Sequence, residues 1–197
     1  MRSVGDMNEL IVTEMISLDG VMEAPGGEDG YRNAGWTFQG IEFAPAAYEM
    51  KGTEQQEAGA LLLGRVSYEA FAPVWPAMEE FAGYNAMPRF VLSTTLDSDD
   101  ERWPAQILSG IDEVWALKTG EHGTFDGPIL VHGSATVVKS LQEAGLIDKL
   151  HLLVFPVLLG EGKKLFSDAK LSAQHLELED SESYSNGIMK MVYRFKK

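Results

Sequence analysis

The chain has 197 residues, 45% hydrophobic and 10% aromatic, with a formal net charge of −14 and no cysteine. That length suits one domain spanning 1–197, able to bury about 70% of its unfolded surface, and the composition is that of an ordered globular protein. The acidity argues against nucleic acid and anionic membranes as partners, since phosphate backbones reward a basic face. The lack of cysteine removes disulfides, thiolate metal sites and thiol catalysis and points to a reducing cytoplasm.

The opening, Met1-Arg2-Ser3-Val4-Gly5-Asp6-Met7, lacks the apolar core of a signal peptide, and no window approaches the ~20 apolar residues of a membrane span. Leu10 to Ile16 reads as a first strand with apolar residues on both faces. A long irregular segment from Ser17 to Gly40 follows, rich in glycine and containing Trp36. Segments of that length inside a compact domain are usually functional. Residues from about Glu42 to Ala58 suit a helix, Ala60 to Leu63 a short buried strand, and Arg65 to Phe71 a helix. Arg89 to Ser93 and Gln106 to Leu108 suit strands, with a short helix around Asp112 to Leu117. The acidic run Asp97 to Glu101 reads as a solvated loop.

The stretch Pro128-Ile129-Leu130-Val131-His132-Gly133-Ser134-Ala135-Thr136 carries the most information. An apolar run stops at glycine, and Val137, Val138, Leu141 and Leu146 then recur at helical spacing. A strand turning through Gly-Ser into a helix presents free N–H groups at the positive end of the helix dipole, a geometry that favours phosphate or pyrophosphate. Leu150 to Pro156, Leu176 to Glu179 and Ile188 to Phe195 close the chain as strands without intervening helices. Strand and helix alternate first and hairpin-like strands come last. This predicts a three-layer α/β/α domain with a mixed, mostly parallel central sheet and antiparallel C-terminal strands.

Three strands end in groups suited to a nucleotide: Gly64-Arg65-Val66-Ser67, Ser93-Thr94-Thr95 and Gly133-Ser134-Ala135-Thr136. Ligands of open α/β sheets sit at such carboxyl ends. Arg65 offers a planar fork for phosphate, and Ser67, Ser93 and Thr94 offer hydroxyls. Neither a G-x-G-x-x-G fingerprint nor a Walker loop is present. Two readings of Arg65 stand, a phosphate ligand or a helical partner of Glu69 one turn on.

These segments, in this order, resemble the dihydrofolate reductase superfamily, in particular the branch holding the reductase domain of the bifunctional riboflavin biosynthesis protein. The matching pieces are Leu10 to Gly20, Leu61 to Glu69, Val91 to Leu96, Ile129 to Thr136 and Phe155 to Gly162, nearly the whole chain. The resemblance implies a dihydrofolate-reductase-like fold and an NADPH-dependent reductase. Its substrate would be a small heterocycle of pyrimidine or pterin type, as in the 5-amino-6-(5-phosphoribosylamino)uracil reductase branch. It further implies Arg65, Ser67 and Ser93 at the adenosine 2′-phosphate end, Gly64 and Thr94 also in the cofactor site, and Gly133, Ser134, Ala135 and Thr136 at the pyrophosphate. Val12 and Thr13 would lie by the nicotinamide, with the loop carrying Trp36 as a lid. A homodimer is the expected assembly.

True dihydrofolate reductases carry a carboxylate on the helix before the Gly-Arg strand. Counting back from Gly64 lands on Tyr48, with Glu49 adjacent and rotated by about 100°. Glu49 is therefore one catalytic candidate, and dihydrofolate is a disfavoured substrate. Asp19 and Glu14 are the others: Asp19 either braces its Asp-Gly turn or sits at the mouth of the site, and Glu14 is either a paired structural acid or a proton donor with a raised pKa. His132 and His151 read as packing residues on strands. No two histidines have metal-ligand spacing, so no metal is expected. The zinc deaminase half of the riboflavin protein needs cysteines and is absent. The other readings are an NADP(H)-binding module without turnover and a true dihydrofolate reductase.

Overall fold

The computed structural model describes residues 7–28, 30–97, 100–123, 125–166 and 173–196. The signal-peptide reading of the opening segment, apart from Met7, and the Ser98-Asp99 part of the acidic run lie outside them.

The first strand, β1 (Leu10–Ser17), is buried along nearly its whole length, as a central strand covered on both faces must be. It carries Leu10, Val12, Glu14 and Ile16 on one face and Ile11, Thr13 and Met15 on the other. A loop leads to a 3₁₀ turn over Trp36–Phe38 and a second over Pro45–Tyr48. Pro45 lacks an amide donor, so the regular helix begins after it: α1 is Glu49–Glu57, shorter than the Glu42–Ala58 helix expected from sequence. Then come β2 (Ala60–Gly64), α2 (Arg65–Phe71), α3 (Ala82–Ala86), β3 (Arg89–Leu92), β4 (Gln106–Leu108) and α4 (Ile111–Thr119). The chain continues with β5 (Ile129–Val131), α5 (Ala135–Glu143), β6 (Lys149–Phe155), β7 (Leu176–Ser183) and β8 (Met189–Phe195).

The eight strands form one sheet in the order β4-β3-β2-β5-β1-β6-β8-β7. The pairs from β4 to β6 are parallel; β6 with β8 and β8 with β7 are antiparallel. One face packs Leu10, Val12, Leu62, Ile129 and Val131 against Val114 and Leu117 of α4 and Val137, Val138 and Leu141 of α5. The opposite face packs Ile11, Leu61, Leu63 and Leu130 against Tyr68, Trp75, Tyr84 and Trp103. A third cluster joins Val21 and Trp36 of the loop to Leu153, Phe155 and Ile188. The expected three-layer architecture is therefore present. Trp75 and Trp103 pack in the interior as their proline neighbours suggested.

The site depends on one consequence of this topology. Strand β5 pairs with β1 only over Leu10–Val12 and ends at Val131, whereas β6 stays paired with β1 as far as Ser17. From Thr13 onward β1 and β5 part. The strand order also reverses direction between these two strands, which makes their fork the topological switch point of the sheet.

Candidate functional site

On the α5 side of the fork, Gly133 continues from β5 with φ +69° and a cis peptide bond to Ser134. A Cβ on Gly133 would stand 2.4 Å from Ser67 Oγ, so glycine is required there. Gly64 is just as constrained, since its Cβ would meet Ser134 Oγ at 2.5 Å and Val137 Cγ2 at 2.9 Å. Ser134 occupies the N-cap position of α5, yet its hydroxyl makes no capping bond. The first-turn amides of the helix thus lack the usual side-chain acceptor.

A groove of about 370 Å³ runs from this turn along the carboxyl ends of β2 and β3. Arg65, Ser93, Thr94, Thr95, Ser109, Ser134, Thr136 and Ser140 line it with a few apolar residues, and among the described residues no carboxylate lines it. In a chain of net charge −14, an acid-free cleft edged by hydroxyls, one guanidinium and the start of α5 fits an anionic dinucleotide. The structure thus gathers Arg65, Ser93, Thr94, Ser134 and Thr136 into one cleft. Ser67 departs from the expectation: its hydroxyl is packed against Gly133 and does not line the groove. Arg65 Nη1 donates to both Glu69 oxygens, at 3.0 and 2.7 Å, so the helical pairing is formed.

Glu14 projects to the same side of the fork. It is 6% exposed, and its Oε1 accepts the Gly133 N–H at 2.7 Å. Burial pushes its carboxyl up to about 8, outweighing the lowering effects of that hydrogen bond and of Lys51. At neutral pH Glu14 is a carboxylic acid with a proton to give. Val12 and Thr13 beside it are fully buried, so neither presents surface to the groove.

The α1 face of the fork carries a polar cluster that the sequence reading missed. Thr13 Oγ1 donates to Glu54 Oε1 at 2.7 Å, and His151 Nδ1 lies 2.9 Å from the same oxygen. Lys51 donates to Thr13 Oγ1 and lies 3.4 Å from Glu54 Oε2. Burial alone would raise the Glu54 carboxyl. The Lys51 ammonium and the His151 and Thr13 bonds overcome it and hold the group at about 2. On the β5 side His132 stands edge-on to Phe71, Trp75 and Tyr84. Burial first and Lys51 second depress its imidazole to about 3, so it stays neutral. Glu54 Oε2 and the Tyr84 hydroxyl are both buried without a hydrogen-bond partner among the described residues. The one sequence signal for this cluster is Lys51 and Glu54 three residues apart on an otherwise polar helix.

Three expected site residues lie elsewhere. Glu49 is exposed at the start of α1, and the carboxylate that this helix sends inward is Glu54, more than one turn later. Asp19 accepts hydrogen bonds from Ser17 Oγ at 2.7 Å and from the Leu159 and Gly160 amides at 3.1 and 2.8 Å. These bonds hold its carboxyl down at about 2, the wrong direction for a proton donor. Trp36 is 2% exposed, donates to the Glu23 carbonyl at 2.8 Å and packs edge-on to Phe155. It anchors its loop to the core and does not face the groove. Tyr31 and Lys163 fasten the same loop to the segment after β6. Among the described residues no group of three or more His, Cys, Asp or Glu could hold a metal ion, and no helix is long and apolar enough to cross a membrane.

A parallel sheet extended by an antiparallel ribbon, with its fork opening on a glycine-serine turn, defines a dihydrofolate-reductase-like fold. The RibD C-terminal domain family matches residues 8–190, and the chain belongs to that family. The uncharacterized protein YyaP of Bacillus subtilis is 24% identical over 194 residues, covering 94% of each chain. Among solved structures, a protein from Shewanella sp. PV-4 whose name refers to riboflavin biosynthesis superposes with a TM-score of 0.77. It is 19% identical over 96% of this chain and 99% of its own. The dihydrofolate reductase of Enterococcus faecalis, complexed with NADP(H), gives 0.63 at 15% identity over 96% and 97%. At these identities the structural likenesses establish the fold.

Proposed function

We propose that this chain is an NADPH-dependent reductase of a small heterocyclic substrate of pyrimidine or pterin type. The observation that carries the reading is the acid-free groove from Arg65 to the Gly133-Ser134 turn, opening at a fork where Glu14 is held neutral. When bound there, NADPH supplies a hydride.

The chain's own residues supply the remainder. The first-turn amides of α5, with Ser134 and Thr136, take the pyrophosphate, and Arg65 with Ser93 and Thr94 takes the 2′-phosphate end. Gly64 and Gly133 let two backbone segments approach as closely as that cradle needs. At the fork Glu14 Oε1 is occupied by the Gly133 amide, which leaves Oε2 to carry the transferable proton. Below, the Lys51–Thr13–Glu54–His151 cluster fixes β1 against α1 and β6, so the wall of the fork is rigid. The loop after β1 is tied down by Asp19, Tyr31 and Trp36. The exposure of Glu49 leaves it out of the site, and the inward carboxylate of α1 is Glu54.

Two measurements test this reading. Saturating NADPH raises the melting temperature, because a ligand of the native state stabilises it by mass action. NADPH is then consumed when a panel of pyrimidines, pterins and carbonyl compounds is supplied. Binding without consumption of NADPH across the panel would leave a nucleotide-binding module without turnover. No thermal shift would overturn the nucleotide site altogether. The homodimer is likewise a proposal, supported by the exposed Leu178 and Met189 of the β7–β8 ribbon, and sedimentation measures it.

A further inference from the structure

Arg65 is the first residue of the seven-residue helix α2, and Glu69 follows one turn later. This order puts the cation at the positive end of the helix and the acid toward the negative end, which the macrodipole disfavours. Helix stability therefore does not explain the pair. Among the described residues Arg65 is the sole basic side chain lining the groove, and Glu69 engages only its Nη1. Among the described residues its Nε and Nη2 make no hydrogen bond. Both side chains are partly open to water, at 42% and 48% exposure, so their attraction is weak and easily exchanged.

We propose that Glu69 is a specificity-determining residue that narrows the preference of this groove for a 2′-phosphorylated dinucleotide. The inference rests on reading the groove as a dinucleotide site. A 2′-phosphate reaching Arg65 must share it with the Glu69 carboxylate and sit close to that like charge. A free 2′-hydroxyl meets an acceptor in Glu69, the same chemistry by which acidic side chains hold the ribose of NAD in other folds. The groove therefore accepts NADH as well as NADPH. Removing the Glu69 charge sharpens the choice, and removing Arg65 abolishes it.

The test is calorimetry at low ionic strength on the whole chain. The probes are NADPH, NADH, adenosine 2′,5′-bisphosphate and adenosine 5′-monophosphate. Glu69→Gln is expected to tighten NADPH and the bisphosphate about threefold and to weaken NADH and the monophosphate about twofold, the scale of exposed charge pairs. Glu57→Gln, the same charge change at the far end of α1, leaves the ratio unchanged. In an Arg65→Ala background, Glu69→Gln tightens the phosphorylated probes less than it does with Arg65 present, because only the direct like-charge repulsion is left to remove. Equal shifts for all four probes, or an unmoved ratio, would overturn the role of Glu69 and leave the dinucleotide site standing. If wild-type protein binds none of the probes, the dinucleotide reading falls and this inference with it.

Discussion

Gly133 donates its backbone N–H to the Glu14 carboxyl at 2.7 Å, bridging β1 and the end of β5 where the two strands part. One bond thus joins the proposed anion cradle to the proposed proton donor. It also fixes which Glu14 oxygen is free, because Oε1 is taken.

Glu14→Gln keeps the acceptor for Gly133 and removes the proton. In a substrate-consuming assay its kcat should fall on the order of 10²–10⁴-fold, with NADPH affinity nearly unchanged. A loss of affinity equal to the loss of turnover would instead make Glu14 a binding residue.

The same side chain gives stability a definite pH dependence. Its folded pKa is raised from 4.5 to about 8, so between those values the folded state holds a proton that the unfolded state has lost. Stability therefore falls as pH rises through that window. Glu14→Gln should flatten this slope and be the more stable protein at pH 8, by an amount read from urea melts across the pH range.

Glu54 has the opposite sign. Its folded carboxyl is held at about 2 against 4.5, so its contribution is present above about 4.5 and disappears as pH falls toward 2. Glu54→Gln leaves Lys51 buried without its counter-charge and should cost about 3–5 kcal/mol at neutral pH. The paired change Lys51→Met with Glu54→Leu should recover most of that loss. Glu49→Gln, on the exposed start of the helix, should change little.

Gly64→Ala tests the cradle sterically. The added Cβ would meet Ser134 Oγ at 2.5 Å and Val137 Cγ2 at 2.9 Å, forcing α5 away from β2. We expect a loss of about 1–3 kcal/mol, and weaker NADPH binding beyond what the destabilisation explains. Wild-type affinity in the alanine variant would remove the strand-to-helix turn from the site.

Asp19 predicts a local effect. Asp19→Ala deletes the bonds to Ser17, Leu159 and Gly160, so limited proteolysis should cut the loop between Ser17 and Gly40 faster. Global stability should drop by only about 1–2 kcal/mol.

Alternation of apolar runs with helical spacing, and the glycines at positions 64 and 133, settle the layers, the parallel sheet and the turn at which α5 begins. These are local properties: strand and helix periodicities, and backbone positions where a Cβ does not fit. The groove was legible for the same reason, since its residues follow strand ends directly. Sequence could not identify Glu54, Lys51 and His151 as one cluster, because they meet only when α1 is laid across β1 and β6. Nor could it show that Asp19 and Trp36 are committed to neighbours distant in the chain. Pro45 delayed the start of the helix, and the inward-facing carboxylate proved to be Glu54. Which acid is neutral and which is charged is likewise a tertiary outcome: Glu14 is buried beside an amide and Glu54 beside an ammonium, and only packing brings either partner near.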